Sequence, residues 1–272
     1  MKYLCGYLRV SRSGYYAWRS RPVSCRTRED GALFQQVESV FLEHKARYGS
    51  PRVHEVLRQR GMAVGRKRVA RLMQEHGLKA RMSRLYRRHA PGLPRAMGET
   101  PNRRLSRPRP TGPNQQWAGD ITYIRHDGRW RYLAVVLDLY SRRVIGWALG
   151  GQRTSELTRA ALAMALRRRT PEPQAIFHTD RGAEYRCATL QALLVRYGMQ
   201  PSLNRPRYCT DNAEVESFFH TLKGELIHGS RFQTETDLDR RIGAYLAQYY
   251  NRERLHSSLG YRSPEYYEAA NA

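Results

Sequence analysis

WAGDITYI (117–124), YLAVVLDLY (132–140) and RVIGWAL (143–149) follow one another, connected through His126-Asp127-Gly128 and Ser141-Arg142-Arg143. These runs are β-branched, aromatic and short, and they predict three strands joined by tight turns, an antiparallel meander. Leu157 to Leu166 then has helical spacing and ends at Arg167-Arg168-Arg169 and Pro171. AIFHT (175–179) reads as a short buried strand. Leu190, Leu193, Leu194 and Tyr197 mark a helix closed by Gly198, Gln200 to Leu203 forms a weak strand, and helices follow over about 212–226 and 235–250. A meander followed by β-α-β crossovers predicts an α/β fold, a mixed sheet covered by helices.

Upstream the pattern differs. Residues 32–48 form an amphipathic helix (Leu33, Val37, Val40, Phe41, Tyr48) broken at Gly49 and Ser50-Pro51, with Ser50 placed to cap a second helix carrying Val53, Val56 and Leu57. A third, from about Gly65 to Glu75, turns Val69, Leu72 and Met73 inward and Arg66, Lys67, Arg68 and Arg71 outward. Short helices around tight turns resemble a helix-turn-helix module, with these four cations and Arg52 as candidate DNA contacts. The segment 89–114 is rich in Pro, Gly and Arg and reads as a linker. The expected organisation is a basic arm (1–30), the helical module (31–88), the linker (89–114), a core (115–230), and a C-terminal helix and tail completing that core (231–272).

Charge separates the two halves. Residues 1–114 carry 26 Lys+Arg against 7 Asp+Glu, and residues 115–272 carry 22 against 17, within a formal net charge of +24. A cationic half joined to a nearly balanced one suggests that the first grips a polyanion and the second acts on it, with counterion release as the source of affinity. The chain has 272 residues, 40% of them hydrophobic, enough for a core and more than one folding unit. No apolar run approaches the roughly 18 residues of a membrane span, and the N-terminal sequence has no secretory signal pattern. Four cysteines without a C-x-x-C pair argue against zinc and disulfides and fit a reducing cytosol.

Three acids stand out. Asp120 lies within a strand pattern, where Asp is disfavoured, and buried there it needs a metal, an Arg or solvent. Asp180 falls where AIFHT ends, the end of a strand at which ligands gather in α/β sheets. Thirty-five residues separate Asp180 from Glu216. Asp211 and Glu214 have capping-box spacing, while Val215, Phe218, Phe219, Leu222 and Leu226 form a buried stripe. Glu216, His220 and Lys223 share a different stripe at its edge. Asp138, also in a strand, rivals Asp120, and spacing does not choose between them. His178 is placed either to position a ligand or to make a structural hydrogen bond.

WAGDITYI (117–124), HTDRG (178–182), DNAEVESFFHTLKGE (211–225) and YNRERLH (250–256) through Ser263-Pro264 resemble the bacterial insertion-sequence transposases of OrfB type, which carry the DDE core of the retroviral-integrase superfamily. SRSGYYAW (11–18), Tyr48-Gly49, RLM (71–73) and Gly77-Leu78 extend the resemblance over nearly the whole chain. It implies a ribonuclease-H-like core and names Asp120, Asp180 and Glu216 as catalytic metal ligands, leaving Asp138 outside. It further implies two Mg²⁺ ions, with Mn²⁺ able to substitute, and DNA strand cleavage and transfer. Lys223 is expected to contact DNA near the cut, and His178 and Asn212 are auxiliary candidates. Expected partners are terminal-repeat and target DNA, an upstream OrfA product or fusion, and further copies of the chain on DNA; the expected location is the bacterial cytoplasm and nucleoid. No heptad run is present, and the linker before Trp117 is more Arg/Pro-rich than the family pattern. The alternatives are a ribonuclease-H-like nuclease or resolvase using the same metals, and a degenerate transposase that only binds DNA.

Overall fold

The computed structural model describes residues 1–22, 24–81, 100–206 and 208–271. The chain divides into two compact units, Met1–Arg81 and Met82–Ala272.

In the first unit, α1 (Lys2–Tyr7) and α2 (Arg12–Arg19) precede α3 (Cys25–Glu43), α4 (Ser50–Gln59) and α5 (Arg66–Glu75). The segment expected to be an arm therefore carries two helices and the start of a third. α3 begins upstream of residue 32 because Ser24 caps it, its hydroxyl accepting the Thr27 N–H at 3.1 Å. It ends at Glu43 and not at Tyr48, because Lys45 and Ala46 take φ of 54° and 57° and turn the chain. Gly49, not Ser50, occupies the N-cap of α4, and no side chain caps that end. Ser50 lies inside the helix, ahead of Pro51, whose fixed φ suits a first turn. Leu33, Val37, Val40, Tyr48, Val53, Leu57, Val69 and Leu72 are buried in this unit.

In the second unit, β1 (Gln116–His126), β2 (Arg129–Asp138), β3 (Val144–Gly150), β4 (Ile176–Thr179) and β5 (Gln200–Leu203) form one sheet in the order β3-β2-β1-β4-β5. β1 to β3 are antiparallel, while β4 runs parallel to β1 and β5 parallel to β4, the ribonuclease-H-like arrangement. Asp127 and Gly128, both at positive φ, close the β1–β2 hairpin, as a two-residue turn between twisted strands requires. α6 (Ser155–Arg168) lies so close on β3 that a Cβ at Gly146 would collide with the Ala161 carbonyl oxygen. Trp117, Ala134, Val136, Leu162, Phe177 and Leu190 pack together on this face, to which α7 (Ala188–Arg196) also contributes. Leu133, Val135 and Leu137 alternate with them and are buried on the other face.

α8 (Ala213–Leu222) continues into a π-helical turn (Lys223–Ile227), α9 (Glu235–Ala244) into a longer one (Tyr245–Glu253), and α10 (Pro264–Ala269) closes the chain. Asn251 ties this C-terminal part to the sheet, its Oδ1 accepting the Val144 N–H at 3.0 Å and its Nδ2 donating to the Val144 carbonyl at 2.9 Å.

Of the expected linker, residues 100–114 are described, and Pro101 and Arg103 lie along the outer edge of β5. The Leu203 N–H donates to the Pro101 carbonyl at 3.3 Å, and Arg103 donates from Nε to the Pro201 carbonyl at 3.2 Å and from its backbone to Ser202 Oγ at 2.9 Å. Pro/Arg composition suppresses local secondary structure but leaves carbonyls and guanidinium groups to bond to a neighbouring strand. Residues 89–99 of that linker, and 82–88 of the expected helical module, lie outside the described residues. Among the described residues no helix is long and apolar enough to cross a membrane.

Candidate active site

The parallel pairing of β1 with β4 matches Gln116 to Ile176, Trp117 to Phe177 and Ala118 to His178. Two residues further along each chain stand Asp120 and Asp180, neighbours at the carboxyl end of β4. Asp120 Oδ1 accepts the N–H of Ile121 at 2.7 Å. Burial, with the charge of Asp180 and more weakly of Glu216, pushes the Asp120 carboxyl up to about 8, although the Ile121 N–H and Arg153 oppose this. Thus β1, β4 and α8 bring all three acids into one electrostatic cluster.

Asp180 is held from two sides. Its Oδ1 accepts the Gly182 N–H at 2.9 Å, and Arg153 Nη2 lies 3.6 Å from its Oδ2. Arg153 also pairs closely with Glu184, its Nε donating to Oε1 at 2.5 Å. A side chain at position 182 would meet both acids: its Cβ would lie 2.5 Å from Glu184 Oε1 and 2.9 Å from Asp180 Oδ1.

Glu216 is exposed on α8, on the edge it shares with half-buried His220 and Lys223. Lys223 Nζ lies 4.4 Å from the Tyr123 ring centroid, a cation–π contact. Burial lowers the Lys223 pKa, while Asp120 pulls it back up. Asn212, 2% exposed, donates from Nδ2 to the Gly119 carbonyl at 3.3 Å and so fastens the start of α8 to β1 one residue before Asp120.

The expected capping box does not form. Asn212, not Asp211, is the N-cap of α8, and no side chain caps it. Asp211 instead pairs with Arg205 at 2.9 Å and accepts from Asn102 at 2.8 Å, while Glu214 meets Arg104 at 2.9 Å and Arg142 at 3.3 Å. Arg205 and Asn102 claim Asp211 and the guanidinium groups of Arg104 and Arg142 claim Glu214, so neither is left to cap α8.

Asp138 stands apart from the cluster. Its cross-strand partner is Trp117, whereas that of Asp120 is Val135, so the two acids point to opposite faces of the sheet. Asp138 is fully buried and accepts N–H bonds from Asn114 at 2.7 Å and Tyr140 at 2.9 Å, closing the turn after β2. His178 is likewise fully buried; its Nδ1 lies 2.9 Å from Ser202 Oγ on β5, and burial pushes its pKa down to about 4. Buried and held neutral, the imidazole on β4 makes a structural hydrogen bond to Ser202 on β5.

Among the helical-module cations, Arg66 and Lys67 are exposed. Arg68 and Arg71 are half-buried and both bind Asp30 at 2.6 Å, so their charge is largely matched within the unit. Arg52 lies 5.6 Å from the Tyr48 ring centroid. Arg153, Glu184 and the Glu225–Arg254 pair escaped sequence reading; Glu225 and Arg254 lie inside quoted motifs, but only the fold joins them.

Among the described residues no group of three or more His, Cys, Asp or Glu side chains is placed to hold a metal ion. The acids form an open set of carboxylate oxygens, the donor type that hard divalent cations select.

The integrase core domain family matches residues 110–209 and, in a second form, 197–264; an HTH-like domain matches residues 28–86. The chain is 43% identical over 277 residues to the transposase InsF for insertion sequence IS3A of Escherichia coli (strain K12), covering 100% of this chain and 94% of that protein. It is 38% identical over 250 residues to the transposase for insertion sequence element IS904 of Lactococcus lactis subsp. lactis (strain IL1403), covering 88% and 94%. Among solved structures, the HTLV-2 integrase catalytic core domain in complex with magnesium aligns at 17% identity and a TM-score of 0.45, over 58% of this chain and 97% of that one.

Proposed function

The chain belongs to the insertion-sequence transposases built on an integrase core, and we propose that Asp120, Asp180 and Glu216 are the carboxylates with which it cuts and rejoins DNA strands. Family membership makes it a polynucleotidyl transferase, and its HTH-like domain implies DNA binding. The carrying observation is positional: β1, the end of β4 and α8 bring the three acids near one another, where burial first, then the charge of Asp180 and least that of Glu216, push Asp120 up to about 8. Divalent cations would relieve that crowding. Mg²⁺ suits the all-oxygen donor set, with Mn²⁺ as a substitute. Two bound ions would supply activation of a water or DNA 3′-hydroxyl and stabilisation of the leaving oxygen in an in-line displacement.

The chain's own groups orient this site. The Gly182 N–H and Arg153 fix the Asp180 carboxylate, and Asn212 fixes the backbone beside Asp120. Lys223, beside Tyr123 and drawn electrostatically to Asp120, contacts a phosphate or base next to the cut. Exposed Arg66 and Lys67 contact flanking duplex, whereas Arg68 and Arg71 keep α5 in place. The working assembly is a homo-oligomer on the element ends with the OrfA product or an OrfA fusion, a reading supported by the resemblance of the motifs.

The test is strand cleavage and transfer on native terminal-repeat DNA with Mg²⁺. Asp120→Asn, Asp180→Asn and Glu216→Gln each abolish both steps and leave DNA binding intact. Cleavage by the triple variant overturns the assignment.

A further inference from the structure

We propose that the cavity between the start of β3 and the C-terminal helical segment is a second DNA-binding site, which takes a backbone phosphate of duplex DNA away from the reacting acids. The proposal rests on the transposase reading above for the identity of its ligand. The cavity has a volume of about 390 Å³ and is lined by Arg143, Arg168, Arg169 and Arg252.

Two carboxylates face these four cations. Glu265 binds Arg143 at 2.7 Å and Arg252 at 2.9 Å, and Glu268 binds Arg143 at 2.8 Å and Arg169 at 2.5 Å. Arg168 meets no carboxylate among the described residues. Its guanidinium lies 4.5 Å from the Trp147 ring centroid and donates to the Ile145 carbonyl at 3.4 Å. Each guanidinium carries five N–H donors, so the ion pairs with glutamate leave donors free for a further oxygen. A planar fork of donors suits a phosphate better than a point charge does.

The surroundings favour a polyanion over a single small ion. Arg167 and Arg168 are exposed at the end of α6, and the Arg252 side chain is 66% exposed, so positive surface continues outside the cavity. Val144 opens β3, the edge strand of the sheet, and β2 separates it from the strand that carries Asp120. The site therefore holds duplex without competing for the catalytic carboxylates.

The test measures binding of the full chain to a duplex lacking terminal-repeat sequence across a NaCl series, with thermal midpoints recorded for each variant. Arg168→Gln with Arg252→Gln is expected to weaken binding about 5- to 10-fold near 0.1 M salt and to reduce the slope of log K against log salt by about one to two. Arg168→Lys should restore most of the slope, which a purely structural role of the arginine would not predict. If the double variant fails to fold, Arg252→Gln alone decides, with an expected loss of about one unit of slope. Unchanged affinity and slope overturn the proposal; so does inorganic phosphate binding that the variants abolish while duplex binding is untouched. Glu216→Gln run alongside separates the two readings, because it should lose cleavage and keep the full salt slope. If it still cuts, the catalytic assignment fails and the salt result stands on its own.

Discussion

Glu225 Oε1 lies 2.8 Å from Arg254 Nη2, with the glutamate fully buried and the arginine 3% exposed. Arg254 Nε also reaches both carboxylate oxygens at 3.0 Å, and the Tyr245 hydroxyl donates to Oε2 at 2.8 Å. Glu225 sits on the π-helical turn that extends α8, and Arg254 follows the one that extends α9, so this pair clamps the helix bearing Glu216 to the C-terminal segment. Glu225→Ala leaves a buried, unpaired guanidinium. It should cost about 3–5 kcal/mol of stability, read as a lowered urea midpoint. A shift below about 1 kcal/mol would mean that solvent reaches the pair.

Asp138 gives a pH signature. Burial raises its carboxyl to about 6 against a reference of 3.8, despite the N–H bonds from Asn114 and Tyr140. The folded chain holds this proton to higher pH than the unfolded chain does, so protonation favours folding. The contribution is complete below about pH 4 and lost as pH rises through about 6. The stability difference between wild type and Asp138→Asn should therefore move against wild type across that window and be flat above it. A flat difference throughout, or loss of cleavage by a well-folded Asp138→Asn protein, would contradict the turn-closing role.

Arg153→Gln separates orientation from charge. Its guanidinium contacts Asp180 and Glu184, and under the proposed function it would compete with a divalent ion for the Asp180 carboxylate. Metal titration of cleavage should show half-saturation at several-fold lower Mn²⁺, while the rate at saturating metal falls about tenfold, near 1.4 kcal/mol of barrier. Weaker metal affinity in the variant would refute the competition.

Asn212→Ala removes the bond from the start of α8 to the Gly119 carbonyl. The expected stability loss is about 1 kcal/mol, with a larger effect, about tenfold, on the cleavage rate because Glu216 and Asp120 lose their common anchor. Equal fractional effects on stability and rate would leave Asn212 as an ordinary packing residue.

The sheet and its helices were readable because each rests on local pattern: apolar runs for β1 to β3, Asp127-Gly128 for the hairpin, and Val215, Phe218, Phe219 and Leu222 for the buried face of α8. What was hidden depends on partners remote in sequence. Asp211 and Glu214 have capping-box spacing, yet Asn102 reaches the first and Arg104 and Arg142 the second. Residues 100–114 have linker composition, yet Pro101 and Arg103 bond to β5 and Arg104 to Glu214 on α8, partners that no local pattern announces. The relation of Asp120 to Asp138 required strand register, since the pairing of Trp117 with Asp138 places the two acids on opposite faces. Arg153 carries no motif at all and is visible only beside Glu184 and Asp180.

The segment along β5 has a further effect. On the outward side of that strand Pro201 offers no N–H, its carbonyl is taken by Arg103, and the Leu203 N–H is taken by Pro101. An open strand edge is a template on which another extended chain can add, the usual route to uncontrolled aggregation. Here the same polypeptide already occupies the Pro201 carbonyl and the Leu203 N–H, which removes those groups from any pairing with a second copy past β5.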